Sequence, residues 1–259
     1  MANLDNRPGA YGASVDRSAV GVIDEGLRAF MLRVYNYMAI GLVLTGVAAY
    51  GAYSAAVSSV PTEYALRGGI YLTSFGAAIY TSPLMWLIVL APLGLVFFLS
   101  FRINRLSVSA AQTTFWVYSA LVGLSLSTIF LVYTMASITQ VFFITAAMFG
   151  AMSLWGYTTK RDLTGMGSFL FMGLIGIIIA SIVGIFFQSS ALQFAISVIG
   201  VLVFTGLSAY DTQKIKEMYY VSDDGTVAGR KAIMGALSLY LDFINLFMML
   251  LQLMGARRD

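Results

Sequence analysis

Residues 232–254 read AIMGALSLYLDFINLFMMLLQLM, a segment whose only charged residue is Asp242. An apolar run of about 20 residues is long enough to cross the hydrocarbon core of a bilayer as a helix. Asp242 would then lie roughly 15 Å deep at a rise of about 1.5 Å per residue, where a carboxylate costs at least about 2.5 kcal/mol. The segment therefore predicts a membrane-spanning helix whose carboxyl faces a cavity or a polar partner rather than lipid.

Small and polar side chains occupy one face of this predicted helix. At helical spacing the face is formed by Gly235, Ser238, Asp242, Asn245 and Met249. We expect this face to point into a helix bundle, with Ser238 and Asn245 as the polar neighbours that support Asp242. A purely structural Asp242, satisfied by those two neighbours, is the alternative.

Six further apolar runs without a charged residue precede this segment. They cover residues 34–53, 84–101, 113–133, 141–157, 169–187 and 192–210. Over the 259 residues, 59% are hydrophobic and 10% are charged, whereas soluble domains carry about 25% charged residues. These features exclude a soluble protein and predict an all-α, polytopic membrane protein. We expect a flexible cytoplasmic tail over residues 1–30 and a seven-helix transmembrane domain over residues 31–259.

The chain contains no cysteine and no histidine. Disulfides, thiolate or imidazole metal sites, cysteine nucleophiles and the Ser-His-Asp triad are therefore excluded. Any proton chemistry has to use Asp, Glu, Lys or Tyr. We predict that the protein is not an enzyme and that it holds no tightly bound cofactor.

The Lys and Arg residues are distributed unevenly between the predicted loops. Of the 15, only Arg67, Arg257 and Arg258 fall opposite the N-terminal segment if all seven runs span the membrane. The positive-inside rule then predicts a cytoplasmic N-terminus. If the last segment re-enters instead, only Arg67 stays opposite, so charge leaves both arrangements open. The net charge of +3 fits membrane orientation rather than nucleic-acid binding.

A second acidic residue, Asp211, ends the sixth apolar run. In two antiparallel helices joined by a hairpin, residues at the same depth lie equally far from the hairpin, so their numbers add up to twice the number at its centre. For a hairpin at residues 222–229 this sum is about 451. The numbers of Asp211 and Asp242 come close to it, so the two residues should lie at similar depth. Two carboxyl groups held together in a low-dielectric site share one proton, which makes the pair a candidate pH sensor. In the alternative, Asp211 is solvated and pairs with Lys214, three residues on.

Arg102 and Arg105 follow the second apolar run on the same predicted side of the membrane. Either guanidinium could reach an aspartate and form a latch that ionisation makes or breaks. In the alternative they are positive-inside anchors only.

The stretches AYDTQKIK at 209–216 and ALSLYLDFINLF at 236–247 resemble signature motifs of the Bax inhibitor-1 family. These are the transmembrane Bax-inhibitor-motif proteins, which include a bacterial inner-membrane branch. The resemblance implies a seven-helix bundle in the inner membrane, with the last helix at its centre. It also implies a pH-sensitive calcium leak whose sensor is a pair of aspartates matching Asp211 and Asp242. A family arginine that pairs with them matches Arg102 or Arg105.

The residues and the resemblance together favour a pH-gated cation leak that passes Ca²⁺ slowly. Ca²⁺ prefers about six to eight oxygen ligands, and Asp211 and Asp242 supply only two carboxylates. We therefore expect weak, transient coordination of a permeant calcium ion by this pair. The expected partners are the lipid bilayer, Ca²⁺ and protons.

Two other classes of function stay open. The protein could be a regulatory partner of other membrane proteins, such as a modulator of a membrane-bound quality-control protease, with its polar N-terminal tail as the docking element.

An intramembrane aspartyl protease would also use two such aspartates. Its second motif needs Gly-x-Gly before the aspartate, however, and residues 239–241 are Leu-Tyr-Leu, which disfavours proteolysis.

Overall fold

The computed structural model of the protein describes residues 17–66, 69–187 and 189–258. Most of these residues are helical. The elements in chain order are α1 (Arg17–Ala56), β1 (Val57–Ser58), β2 (Tyr71–Leu72), α2 (Ser74–Tyr80), α3 (Leu84–Arg102), a 3₁₀ turn (Ile103–Arg105), α4 (Val108–Leu126), α5 (Ile129–Val132), α6 (Met135–Thr158), α7 (Thr164–Phe186), α8 (Ser190–Glu217) and α9 (Gly225–Met254).

Seven helical segments in the described part of the chain are long and apolar enough to cross a bilayer. They are α1, α3, α4 with α5, α6, α7, α8 and α9. The predicted all-α, seven-helix architecture is thereby confirmed, and the protein is a multi-pass membrane protein.

The two ends of the bundle differ in charge, and we call them the charged end and the C-terminal end. The charged end holds the loops 159–163 and 218–224, and the start of α1 packs beside it. The C-terminal end holds residues 255–258 and the start of α8. The short antiparallel pair β1–β2 and the helix α2 connect α1 to α3.

Helices α8 and α9 extend beyond the apolar segments that predicted them. The apolar runs stop at residue 210 and resume at residue 232, and the pairing through a hairpin at residues 222–229 assumed helices that continue beyond these limits. In the structure α8 continues to Glu217 and α9 begins at Gly225. Lysine side chains in these extensions lay their methylene groups along the protein and keep their ammonium groups in polar surroundings. The ammonium groups of Lys216 and Lys231 donate to the carbonyl oxygens of Tyr157 at 2.9 Å and Met218 at 3.0 Å.

The first helix begins earlier than the predicted boundary between tail and membrane domain. Helix α1 starts at Arg17, so residues 17–30 of the predicted tail are helical and continuous with the first span. At the end of this stretch Phe30 is buried, and its ring lies 5.8 Å from that of Tyr219, just after α8. Residues 1–16 of the predicted tail lie outside the described residues.

Helix α9 lies at the centre of the bundle. In its most apolar window 61% of residues are buried, compared with 44% or less in the other six spans. Helices α1, α4, α6 and α8 all pack against it. The predicted central position of the last helix is confirmed, and its 30 unbroken residues identify it as a full span rather than a re-entrant segment.

A buried hydroxyl cluster joins α9 to α1 and α4. The hydroxyls of Tyr240 and Thr45 lie 2.6 Å apart, and Thr45 Oγ1 is 2.9 Å from the carbonyl oxygens of both Ser119 and Gly41. Tyr240 is fully buried, so its hydroxyl has no water to bind. Hydrogen bonds of this kind between helices stabilise membrane proteins by about 0.6 kcal/mol on average.

Both ends of α9 are attached to neighbouring segments. At the charged end, Arg230 Nε donates to the carbonyl oxygen of Leu106 at 2.7 Å. At the C-terminal end, the Ala256 amide donates to Ser137 Oγ at 2.9 Å and the Ala256 carbonyl accepts from the Thr134 amide at 3.0 Å. These bonds fix the position of α9 relative to α4 and α6.

We expect Gly156→Ala to destabilise the protein, because a Cβ at this position on α6 would collide with the backbone of Ala209 on α8. Overpacking of this kind costs about 1–3 kcal/mol. Unfolding by sodium dodecyl sulfate in mixed micelles measures the loss. Gly150→Ala on the same helix is the matched control, since its Cβ would meet open space and the exchange itself favours helix by up to about 1 kcal/mol. Equal stability of the two variants would contradict the close α6–α8 contact.

Candidate functional site

The predicted acidic residue of the last span is buried within the bundle. Asp242 lies on α9 with 5% of its surface exposed. Its atom Oδ2 is buried and accepts no hydrogen bond from a described N–H or O–H group. A buried carboxylate oxygen without a donor is costly, and a proton, a cation or a water molecule in the adjoining cavity would each reduce this cost.

Asp211 meets Asp242 across the α8–α9 interface. The two carboxyl groups line the same cavity and are close enough to act on each other electrostatically, and Asp211 is half-buried. The register of the hairpin explains the meeting, because the contact pairs Ile215/Gly235 and Gly200/Met249 have numbers that sum to 450 and 449. The similar depth that the sequence suggested for the two aspartates is therefore present in the structure, and the helices are rotated so that both residues line the same cavity.

A hydrogen bond between the two carboxyl groups requires a proton. Two ionised carboxylates are both acceptors and cannot bond to each other. When one of them is protonated, its O–H donates to the other and the buried oxygen gains a partner. The Asp211–Asp242 pair, which we call the dyad, is therefore a site that one proton can bind or leave.

The dyad lines a cavity of about 520 Å³ between α7, α8 and α9, which we call the dyad cavity. Its polar lining residues are Ser168, Tyr210, Asp211, Lys214, Ser238, Asp242 and Asn245. Ser238 and Asn245, predicted as supporting polar residues, thus lie in the same cavity as the dyad. Asn245 donates from Nδ2 to the Leu241 carbonyl at 2.8 Å, which leaves its side-chain oxygen as the available acceptor.

Lys214 is the cation that accompanies the dyad. It is exposed, lines the dyad cavity, and its positive charge acts on Asp211. Its ammonium also lies 5.9 Å from the centre of the Tyr210 ring. Sequence reasoning considered Lys214 only as the alternative partner of a solvated Asp211, whereas in the structure Lys214 and Asp242 both line the same cavity as Asp211.

The two arginines predicted as a latch lie away from the dyad in this structure. Arg102 and Arg105 are exposed at the end of α3 and in the 3₁₀ turn, and neither lines the dyad cavity. Within the described residues, the ion pair closer than 4.0 Å is Lys231–Asp223 at 2.6 Å, which involves neither arginine. The latch stays a prediction about another state of the protein.

The sequence reasoning missed a chain of hydroxyl groups behind the dyad. Tyr35 and Ser153 are 2.6 Å apart, Ser153 and Thr212 are 2.8 Å apart, and Thr212 donates to the Ser208 carbonyl at 2.7 Å. The chain links α1, α6 and α8 next to Asp211. Thr212 follows Asp211 in the motif at 209–216, which is the signal that could have drawn attention to it.

The oxygen atoms of the dyad cavity can hold a cation only loosely. Among the described residues, no group of three or more acidic side chains could hold a metal ion together. The dyad supplies two carboxylates, and Ser238 and Asn245 supply neutral oxygens. Ca²⁺ prefers about six to eight oxygens, so most of its ligands in this cavity would have to be water.

Comparison with known proteins agrees with the fold and with the position of the motifs. The family model described as "Inhibitor of apoptosis-promoting Bax1" matches residues 27–259. An uncharacterized protein of Rickettsia prowazekii is 51% identical over 236 residues, which cover 91% of this chain and 93% of the relative. An uncharacterized protein of Caulobacter vibrioides is 46% identical over 255 residues, which cover 98% of each chain.

A relative in Escherichia coli K12 has a stated location. The inner membrane protein YbhL is 49% identical over 236 residues, covering 90% of this chain and 94% of YbhL. The family model extends over all seven spans, and the three relatives each match 90% or more of the chain. The chain belongs to the Bax inhibitor-1 family, as its motifs at 209–216 and 236–247 predicted.

Proposed function

We propose that the protein is a pH-sensitive cation leak of the bacterial inner membrane that passes Ca²⁺ slowly under control of the Asp211–Asp242 dyad. The observation that supports this proposal is the pair formed by the buried Asp242 and the half-buried Asp211, which line one cavity between three membrane-spanning helices. In a chain without histidine, such a pair is the group best suited to bind a proton in response to pH.

The proton and the cation compete for the same oxygen atoms. A deprotonated dyad carries negative charge inside a low-dielectric bundle, and this charge attracts a divalent cation strongly. A proton removes part of that charge and uses one oxygen as a donor. Lower pH therefore reduces the occupancy of the dyad by Ca²⁺.

Weak coordination fits a leak rather than a storage site. A permeant ion has to bind well enough to enter and loosely enough to leave. Two carboxylates with the neutral oxygens of Ser238 and Asn245 leave a Ca²⁺ ion largely hydrated. Such an ion passes without a deep energy minimum, and we propose no tightly bound cofactor and no catalytic role.

The proposed orientation places the N-terminus and the charged end of the bundle in the cytoplasm. The loops and helix ends at the charged end carry most of the described basic residues, including Lys160, Arg161, Lys216 and Lys231, whereas Arg257 and Arg258 lie at the C-terminal end. Because α9 spans the bilayer, the count of basic residues on the two sides supports the positive-inside arrangement. The dyad cavity then lies nearer the cytoplasmic side.

Asp211→Asn and Asp242→Asn are each expected to flatten the pH dependence of Ca²⁺ flux, because an amide cannot exchange the shared proton. In proteoliposomes between about pH 5 and 8, one titrating proton changes the wild-type flux by at most about tenfold per pH unit. Each variant should change by less than about twofold over the same range. A fluorescent calcium indicator inside the vesicles measures the flux.

Asp162→Asn is the matched control for the dyad substitutions. Hydrogen bonds from Thr164 hold the pKa of Asp162 below its usual range, so Asp162 stays ionised at the pH values used. Asparagine preserves the acceptor for the Thr164 amide at 2.8 Å, and the charge change equals that of the dyad variants. A wild-type pH profile is expected for this control. No flux above empty liposomes for the wild type would overturn the leak and favour the regulatory-partner alternative.

Lys214→Gln is expected to move the midpoint of the flux profile to higher pH by up to about one unit, because the ionised dyad loses its neighbouring positive charge. The same liposome titration measures the midpoint. Lys216→Gln is the control, since the Lys216 ammonium donates to the Tyr157 carbonyl and does not line the dyad cavity. Equal midpoint shifts in both variants would contradict a specific role of Lys214.

A further inference from the structure

A second polar cavity lies between the same three helices at the C-terminal end of the bundle. It measures about 730 Å³, and we call it the C-terminal cavity. Ser181 on α7, Gln193 and Ser197 on α8, and Gln252 on α9 supply its polar oxygens, and Arg257 lies at its edge. Ser197 Oγ is 3.3 Å from Gln252 Oε1, so α8 and α9 meet at this cavity.

The two cavities lie one above the other along the bundle. Their facing lining residues are Leu174 and Ser181 on α7, Phe204 and Ser197 on α8, and Asn245 and Gln252 on α9. Each pair is seven residues apart, which is about 10 Å at the helical rise. On each helix, one residue on the same face lies midway between the two lining residues, three or four positions from each. These intermediate residues on the three helices form a single layer of side chains that divides the cavities.

This dividing layer is apolar and contains a close contact. Met249 on α9 packs on Gly200 of α8, where a Cβ at residue 200 would lie 2.6 Å from the Met249 sulfur. Both residues lie midway between the facing lining residues of their helices. Ile177, at the same level of α7, is buried. A dry layer of this thickness blocks hydrated ions, because an ion would have to shed its water with no polar group to replace it.

The chemistry of the dividing residues permits movement. Methionine is unbranched and has three rotatable bonds, and the missing side chain at Gly200 leaves the space that the thioether fills. Rotation of the Met249 side chain would remove the contact without moving a helix.

We propose that the dyad cavity and the C-terminal cavity are the two mouths of one water-filled cation pathway between α7, α8 and α9, which Met249 closes by packing on Gly200. The C-terminal cavity binds a hydrated cation through the amide and hydroxyl oxygens of Gln193, Ser197 and Gln252. Arg257 lowers the cation concentration at this mouth, which limits the leak. The inference rests on the proposed function, because it gives the route by which ions reach the dyad.

The absence of native cysteine allows a test that does not depend on ion flux. Single cysteines are introduced as Asn245→Cys in the dyad cavity and as Gln252→Cys in the C-terminal cavity. A membrane-impermeant methanethiosulfonate reagent is applied to spheroplasts and to inverted membrane vesicles, which expose opposite faces of the membrane. Mass spectrometry measures the labelling rate from each side.

We expect each cysteine to react from one face only, and from opposite faces. Adding Met249→Ala should make the cysteine at 245 reactive from the C-terminal side, with a rate at least about tenfold higher, because the dividing layer is lost. Met249→Leu should keep the layer closed, since leucine has a similar volume. Met248→Ala is the matched control, because successive helical residues point about 100° apart, and it should leave the labelling pattern unchanged.

Three results would overturn the pathway. The first is labelling of the cysteine at 252 from neither face, which would mean that lipid rather than water fills the C-terminal cavity. The second is a cysteine at 245 that stays unreactive from the C-terminal side in the Met249→Ala variant. The third is equal opening by Met248→Ala. The leucine variant keeps the test valid if the alanine variant does not fold, because labelling across the layer in that variant would also contradict closure by side-chain packing.

Calcium flux in the same variants separates this inference from the proposed function. If Met249→Ala opens the path to the thiol reagent and also raises Ca²⁺ flux, both hold. If it opens the path to the reagent but no variant passes Ca²⁺, the pathway stands and the calcium leak fails. If the wild type passes Ca²⁺ with pH dependence but the labelling does not change, the leak stands and ions follow another route.

Discussion

A polar group inside a bilayer has to find its partner within the protein, because the hydrocarbon offers none. Helix α9 carries two such groups close together, the hydroxyl of Tyr240 and the carboxyl of Asp242. Each needs a different neighbouring helix at close range, α1 for the hydroxyl and α8 for the carboxyl. The central position of α9 follows from this requirement, since only a helix surrounded by others can satisfy polar groups on opposite faces.

In the proposed function the two groups are satisfied in different ways, and this difference would divide the bundle into a fixed part and a part that responds to pH. The bond between Tyr240 and Thr45 connects two neutral hydroxyls, and no change of pH in a physiological range alters it. A hydrogen bond between Asp211 and Asp242, by contrast, would require a proton on one of the two carboxyl groups. Helices α1 and α4 therefore hold one side of α9 steadily, while α7 and α8 face the side whose charge varies.

The seven spans and the similar depth of Asp211 and Asp242 could be predicted from the sequence, because both depend on local patterns. The spans follow from uncharged runs of membrane length, and the depth follows from the position of the hairpin between α8 and α9. Rotation about the helix axes was out of reach, since it depends on close contacts such as Gly156 with Ala209. The C-terminal cavity was missed for a similar reason, because residues such as Gln193, Ser197 and Gln252 are uncharged, scattered and informative only once α8 and α9 are aligned. The extension of α1 to Arg17 was missed because its polar residues resembled those of a tail.

The attachments at both ends of α9 also set how the bundle can move. Hydrogen bonds from Arg230 to Leu106 and from Ala256 to Ser137 hold the two ends of the helix in place. A translation of α9 along its axis would break the hydrogen bonds at both ends at once. A small rotation of α9 about its axis would stretch these bonds less. A turn of α9 would carry Asp242 and Met249 together, because both project from the same face. In the proposed mechanism the proton site and the closing residue would then be coupled directly, because Asp242 and Met249 belong to the same rigid helix.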